Sequence, residues 1–131
     1  MTTVALALMI ASTNLNLPKG LLSAICYVES RHNAKAVNPD DGHQDSIGLC
    51  QLHMDTARFM GYKGDEKGLL NPKTNAYYAG KYLRYQIRRY ENDPRKAVAA
   101  YNLGHHKLNK KGVIVNKAYV EKVFTAWGRY K

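Results

Sequence analysis

Acidic residues are scarce in this chain. There are ten, against twenty lysines and arginines, which leaves a formal charge of +10 at pH 7. A balance that positive favours anionic polymers as partners, whether nucleic acid, a lipid surface or the acidic glycans and teichoic acids of a cell wall, and does not choose among them. Cysteine is nearly absent. Cys26 and Cys50 make neither a disulfide framework nor a zinc signature; a bridge between them stays open, but two buried thiols are the expectation. The five histidines, His32, His43, His53, His105 and His106, lack metal-ligand spacing and read as surface or polar-cleft residues, so neither metal nor cofactor is expected. Membrane-length apolar runs are missing too. Val4 to Ala11 is too short to span a bilayer, and it lacks the basic flank and small-x-small site of a signal peptide. No internal repeat, low-complexity tract or linker interrupts the chain.

What is present is an ordinary globular composition, 45% hydrophobic and 23% charged over 131 residues. That is enough to bury a core, and it predicts one domain over residues 1–131. A first amphipathic helix is expected over about Thr3 to Thr13, with Pro18 in the first turn of a second. Asn38-Pro39-Asp40-Asp41-Gly42 is dense in turn formers, so a loop or small hairpin follows up to Leu52. Gly48, set among apolar residues, signals close backbone approach. Met54 to Met60 reads as a short helix stopped by Gly61. Asn71 and Pro72 announce the longest helix. Its buried face is predicted to be Ala76, Gly80, Leu83, Ile87 and Tyr90, and its basic face, most simply a solvated one, Lys81, Arg84 and Arg88. Asp93 and Pro94 restart the pattern for an alanine-rich helix ending at Gly104. A basic polar loop, His105 to Gly112, leads to a last helix capped by Asn116 with Val120, Val123, Trp127 and Tyr130 inward. Five or six helices with at most a hairpin make a mainly α architecture.

One acid stands out. Leu22, Ile25 and Glu29 fall at i, i+3 and i+7, so Glu29 shares a stripe with aliphatic residues. A carboxyl against apolar surface is disfavoured as the anion, and a raised pKa would let it donate a proton to a leaving oxygen near neutral pH. The alternative is a Glu at a helix end that reaches solvent or pairs with Arg31.

Glu29-Ser30, Gly48-Leu49-Cys50-Gln51, Ala100-Tyr101-Asn102-x-Gly104 and Tyr119-Val120 stand in a fixed order. That order resembles the soluble lytic transglycosylase catalytic domain, of lysozyme-like fold, from about Leu15 to Trp127. The resemblance implies a compact helical domain with a small hairpin or loop bordering the cleft. It also implies an enzyme that cuts the β-1,4 bond between N-acetylmuramic acid and N-acetylglucosamine in peptidoglycan and leaves a 1,6-anhydro end. Glu29 matches the family's single catalytic acid and base, and Ser30 the residue after it. Gly48, Leu49 and Gln51 match a Gly-Leu-Met-Gln motif lining the cleft, with Cys50 in place of methionine, a packing change and not a new chemistry. Tyr101 and Asn102 match an Ala-Tyr-Asn motif near the cleavage point, and Tyr119 a tyrosine that approaches the acid. His105 and His106 depart from a frequent Gly-Pro-Gly continuation.

Several roles stay open at this point. Gln51 and Asn102 either contact acetamido or hydroxyl groups of the glycan or tie down loop backbone. Tyr101 and Tyr119 either orient Glu29 or are core aromatics with a wet tip. Ten tyrosines against two phenylalanines favour a hydroxyl-lined groove. The rival enzyme is a goose-type lysozyme in which a second acid, Asp45, Asp41 or Asp40, activates water. More remote are a basic nucleic-acid module, for which no recognition motif is present, and a non-catalytic wall-binding relic. The expected partner is a peptidoglycan strand met by a monomer at the cell wall, periplasmic, extracellular or phage-delivered, with no nucleic acid and no membrane span.

Overall fold

The structure is a computed structural model describing residues 1–39 and 44–131. Six α-helices run in the order α1 (Thr3–Asn14), α2 (Leu21–Ser30), α3 (Met54–Phe59), α4 (Pro72–Arg89), α5 (Pro94–Leu103) and α6 (Lys117–Tyr130). A two-residue antiparallel hairpin, β1 (Val37–Asn38) and β2 (Ser46–Ile47), lies between α2 and α3, in the register Val37 to Ile47 and Asn38 to Ser46. A 3₁₀ turn, Lys67–Leu70, precedes α4. Among the described residues no helix is long and apolar enough to cross a membrane.

Local chemistry sets most helix starts. Asn71 Oδ1 accepts from the amides of Lys73 and Thr74 and Asp93 Oδ1 from those of Arg95 and Lys96, each with proline as the next residue. The α1 start rests on Thr2, whose hydroxyl accepts from Ala5 N. The second helix departs from expectation. Pro18 is not in it; its carbonyl accepts from Leu21 N in a preceding turn, and Gly20, at φ +81°, is the cap. A Cβ on Gly20 would sit 2.4 Å from the Tyr130 carbonyl oxygen, so the junction takes its geometry from the end of α6.

The core is one cluster fed by every helix, with Leu8, Leu22, Ile25, Leu83, Val98 and Val123 fully buried. Gly80 lets α1 approach α4, since a Cβ there would lie 2.6 Å from Leu15 Cδ1. The α4 face keeps Ala76, Gly80 and Leu83 from the predicted one and adds Ala79. Asn75 and Gln86 are buried, while Ile87 and Tyr90 are only half-buried. On α6, Val120, Val123 and Ala126 are buried and Trp127 and Tyr130 half-buried. Asn116 occupies the cap position of α6 without capping it by its side chain.

The cysteines correct the expectation of two thiols. Cys26 on α2 and Cys50, just after β2, have Cα atoms 4.3 Å apart and are joined in a disulfide across 24 residues of chain. The substitution of cysteine for methionine in the Gly-Leu-x-Gln motif is therefore a covalent staple and not only a packing change. The pairing follows from α2 and the motif loop meeting face to face in the core.

Candidate active site

Glu29 is the penultimate residue of α2, one turn beyond Ile25 and Cys26, both fully buried. Its carboxyl faces a cleft of about 320 Å³, also lined by Gln51, Tyr101 and Asn102, by His53, one of the histidines read as surface or polar-cleft residues, and, unforeseen in the sequence, by Ser46, Thr56 and Tyr82. Tyr119 Oη donates a 2.8 Å hydrogen bond to Glu29 Oε2. Arg31 turns away, donating to Tyr27 Oη and lying over that ring, so it is not the partner of Glu29. Burial raises the Glu29 pKa from 4.5 to about 7, against a smaller lowering by the Tyr119 bond. Burial, and then the charge of Glu29, hold the Tyr119 hydroxyl well above its ordinary range, so it stays a neutral donor.

The remaining motif residues sort into lining and support. Tyr101 and Asn102 line the cleft, but the Tyr101 hydroxyl is spent on the Cys50 carbonyl at 2.9 Å. Asn102 Oδ1 accepts from Asn116 Nδ2. Gln51 lines the cleft with both ends of its amide engaged: Nε2 donates to the Gly48 and Ala36 carbonyls and Oε1 accepts from Asn38. Ser30, Gly48, Leu49 and Tyr119 are not among the lining residues. Ser30 Oγ donates to the Leu49 carbonyl at 2.6 Å and accepts from Asn33 N, which ties the acid-bearing helix end to the motif loop. Leu49 is fully buried.

Asn75, which the sequence reading passed over, holds this loop. It is fully buried, accepts from Cys50 N, and donates to the carbonyls of Ile47 and Leu69. Gly48, at φ +76°, lies against it; a Cβ there would be 2.5 Å from Asn75 Nδ2 and from Leu69 O. The glycine thus meets the close approach its setting suggested. Asparagine in a helix interior, four residues after an Asn-Pro start, was the available signal.

Among the described residues lining the cleft, Glu29 is the one carboxylate. Asp45 does not line it, and Asp40 and Asp41, with His43, lie outside the described residues. His53 lines the cleft with its ring near Ser46 Oγ at 3.1 Å. Among the described residues no three His, Cys, Asp or Glu side chains gather as metal ligands. A carboxyl titrating near neutrality in a cleft, held by a neutral donor, is equipped to give and take a proton.

A helical frame with a small hairpin, carrying one half-buried glutamate into a cleft, is the lysozyme-like architecture of lytic transglycosylases. Residues 7–123 match the transglycosylase SLT domain, and the chain belongs to that family. It is similar to Protein IpgF of Shigella flexneri, 34% identical over 104 residues that make up 77% of this chain and 67% of that protein. IpgF of Shigella sonnei matches to the same extent. Among solved structures, an inactive glutamate-to-glutamine mutant of the lytic transglycosylase Slt of Pseudomonas aeruginosa superposes with a TM-score of 0.78 at 20% identity, over 95% of this chain. The 70 kDa soluble lytic transglycosylase of Escherichia coli does so with a TM-score of 0.67 at 25% identity, over 93% of this chain. The match takes in 24% and 21% of those two chains, so this chain spans less than a quarter of their length.

Proposed function

We propose that this chain cleaves the β-1,4 bond between N-acetylmuramic acid and N-acetylglucosamine of peptidoglycan as a lytic transglycosylase, with Glu29 as acid and then base. The observation that carries the reading is Glu29, the one carboxyl lining the cleft among the described residues, brought to about pKa 7 and held by Tyr119. At neutral pH such a group is populated in both forms, which a residue that works in both directions needs. Protonated Glu29 gives its proton to the glycosidic oxygen as the bond to C1 breaks, and the sugar's 2-acetamido group stabilises the developing cation. The C6 hydroxyl of the same sugar then attacks C1, and the Glu29 carboxylate takes its proton. A 1,6-anhydro ring closes and the acid is regenerated. Intramolecular attack supplies about 7 to 11 kcal/mol through proximity, which makes a second carboxylate dispensable.

Tyr119 and Tyr101 are positioning residues in this scheme, the first for the carboxyl and the second for the loop beside it. Gln51 and Asn102 present cleft surface to the N-acetyl sugars, while Ser30, Gly48 and Leu49 hold the geometry from behind. The Cys26–Cys50 bridge suits an oxidising compartment, in keeping with action at the cell wall. The partner is a glycan strand, met by a monomer.

The test is mass analysis of muropeptides released from purified sacculi. Anhydro-muramic ends are expected from the parent protein and none from Glu29→Gln, which keeps the fold. A reducing muramic end would replace ring closure by hydrolysis, and retained turnover in the variant would remove Glu29 from the mechanism. Because the donor is the protonated carboxyl, kcat/KM should fall as pH rises through about 7.

A further inference from the structure

Two helices lead out of the cleft in the same way. On α3 the cleft-lining residue is Thr56, and Phe59 follows one turn later; on α4 it is Tyr82, and Tyr85 follows one turn later. The two outer residues meet each other. Phe59 and Tyr85 stand edge to face with ring centroids 5.2 Å apart, and Tyr85 runs nearly parallel to Tyr82, 12° and 6.2 Å away. Tyr82 in turn touches Tyr101 at 5.3 Å on the cleft side. Phe59 is 63% exposed and Tyr85 37%, which for large aromatics needs a reason. The four rings form an unbroken aromatic path from beside Glu29 to open surface.

We propose that Tyr85 and Phe59 are a distal glycan-binding platform, on which an N-acetylated hexose of the strand lies after leaving the cleft over Tyr82. This rests on the reading of the cleft as a glycan site and extends it by one further sugar position. The class of ligand follows from continuity and from chemistry. The path starts in the cleft, so whatever polymer fills the cleft is delivered onto it. A pyranose offers one C–H-rich face to an aromatic ring while its hydroxyls stay in water, which suits rings that are partly solvated. A patch meant for a protein partner would have no reason to be joined ring by ring to the cleft.

The experiment uses the Glu29→Gln chain, so that strands are bound and not cut, and glycan strands stripped of stem peptides, sorted by length. The parent should bind long strands more tightly than short oligomers that fill only the cleft. Replacing Phe59 and Tyr85 together by alanine should cost at least about fivefold in affinity for long strands and erase their advantage over short ones. Tyr85→Phe, which keeps the ring, should restore it in the presence of Phe59. An unchanged melting temperature checks that the exposed positions leave the fold alone. Equal affinity of the double variant and the parent for long strands overturns the platform. So does a loss equal on short and long strands, an effect seen only on strands that keep their stem peptides, or a self-association that the double variant abolishes. If the parent itself binds no stripped strand of any length, the glycan reading of the cleft fails instead, a result separate from the others.

Discussion

The two walls of the cleft are made by opposite means. The wall made by β2 and the turn after it, residues 46–52, is stitched to the rest of the molecule by long-range links. The disulfide reaches α2, Asn75 reaches it from α4, Ser30 Oγ holds the Leu49 carbonyl, and Tyr101 of α5 holds the Cys50 carbonyl. The segment after α5, residues 104–116, touches the cleft lining at Gly104. It is anchored near its two ends, where Arg89 donates to the Gly104 carbonyl, His106 N donates to Tyr90 Oη and Asn116 Nδ2 donates to the Ala99 carbonyl, while its middle bonds to itself. Asn109 Oδ1 accepts from Lys111 N and Val113 N, Leu108 bridges Ile114, and most of its side chains are exposed. The acid lies beside the first wall. Holding a half-buried carboxyl in place requires a rigid support, and the links on that side supply it, whereas the exposed middle of the opposite segment can vary without disturbing the proton donor.

The sharpest way to break this contrast is at Asn75. Asn75→Leu keeps the side-chain volume but takes the Asn75 partner from the Cys50 N–H and the Leu69 carbonyl and leaves the Ile47 carbonyl with Leu52 N alone, next to a glycine with no room to shift. A loss of about 3 to 5 kcal/mol in urea unfolding is expected, with cleavage activity lost at temperatures where the chain is still folded. A cost below 1 kcal/mol would mean the wall is held by packing alone.

Next in size is the bridge. Cys26→Ala with Cys50→Ala reopens a loop of 24 residues and should cost about 3 kcal/mol, read as a fall in the denaturation midpoint. Dithiothreitol should reproduce the shift in the parent and have no effect on the double variant. A bridge that contributed nothing would leave Asn75 and Ser30 as the supports of that wall.

The same contrast explains what was legible in the sequence. Helix starts written in adjacent residues, such as Asn71-Pro72 and Asp93-Pro94, were readable because a cap is a contact over two or three positions. Glu29 was readable because its spacing from Leu22 and Ile25 is local too. The motif order named the family and its fold and had Tyr119 approach the acid, where it bonds Glu29, yet it gave Gly48 and Leu49 a face on the cleft, and the structure puts both outside its lining. Asn75, the disulfide and the turn at Pro18 were missed for one reason: each depends on what the fold brings from 24 or more residues away, including the α6 end that closes on Gly20. The outer aromatics escaped notice because Phe59 and Tyr85 belong to different helices, and only their contact makes a path.

The smallest effect is expected where the second wall meets the core. Asn116 Nδ2 donates to the Ala99 carbonyl and to Asn102 Oδ1, and is the one side chain of that segment with a bond into α5 among those described. Its own Oδ1 is buried with no partner among the described residues. Asn116→Ala therefore removes two hydrogen bonds together with an unpaired acceptor, and these partly offset each other, so the stability cost should be about 1 kcal/mol or less. The consequence falls on Asn102, which loses what orients its amide in the cleft. If Asn102 meets the substrate, KM for sacculi should rise about threefold with kcat nearly unchanged, because a sugar contact made equally in the ground and transition states is weakened while Glu29 is untouched. A matching fall in kcat would show that the second wall also shapes the transition state, and the division between a wall for chemistry and a rim for binding would not hold.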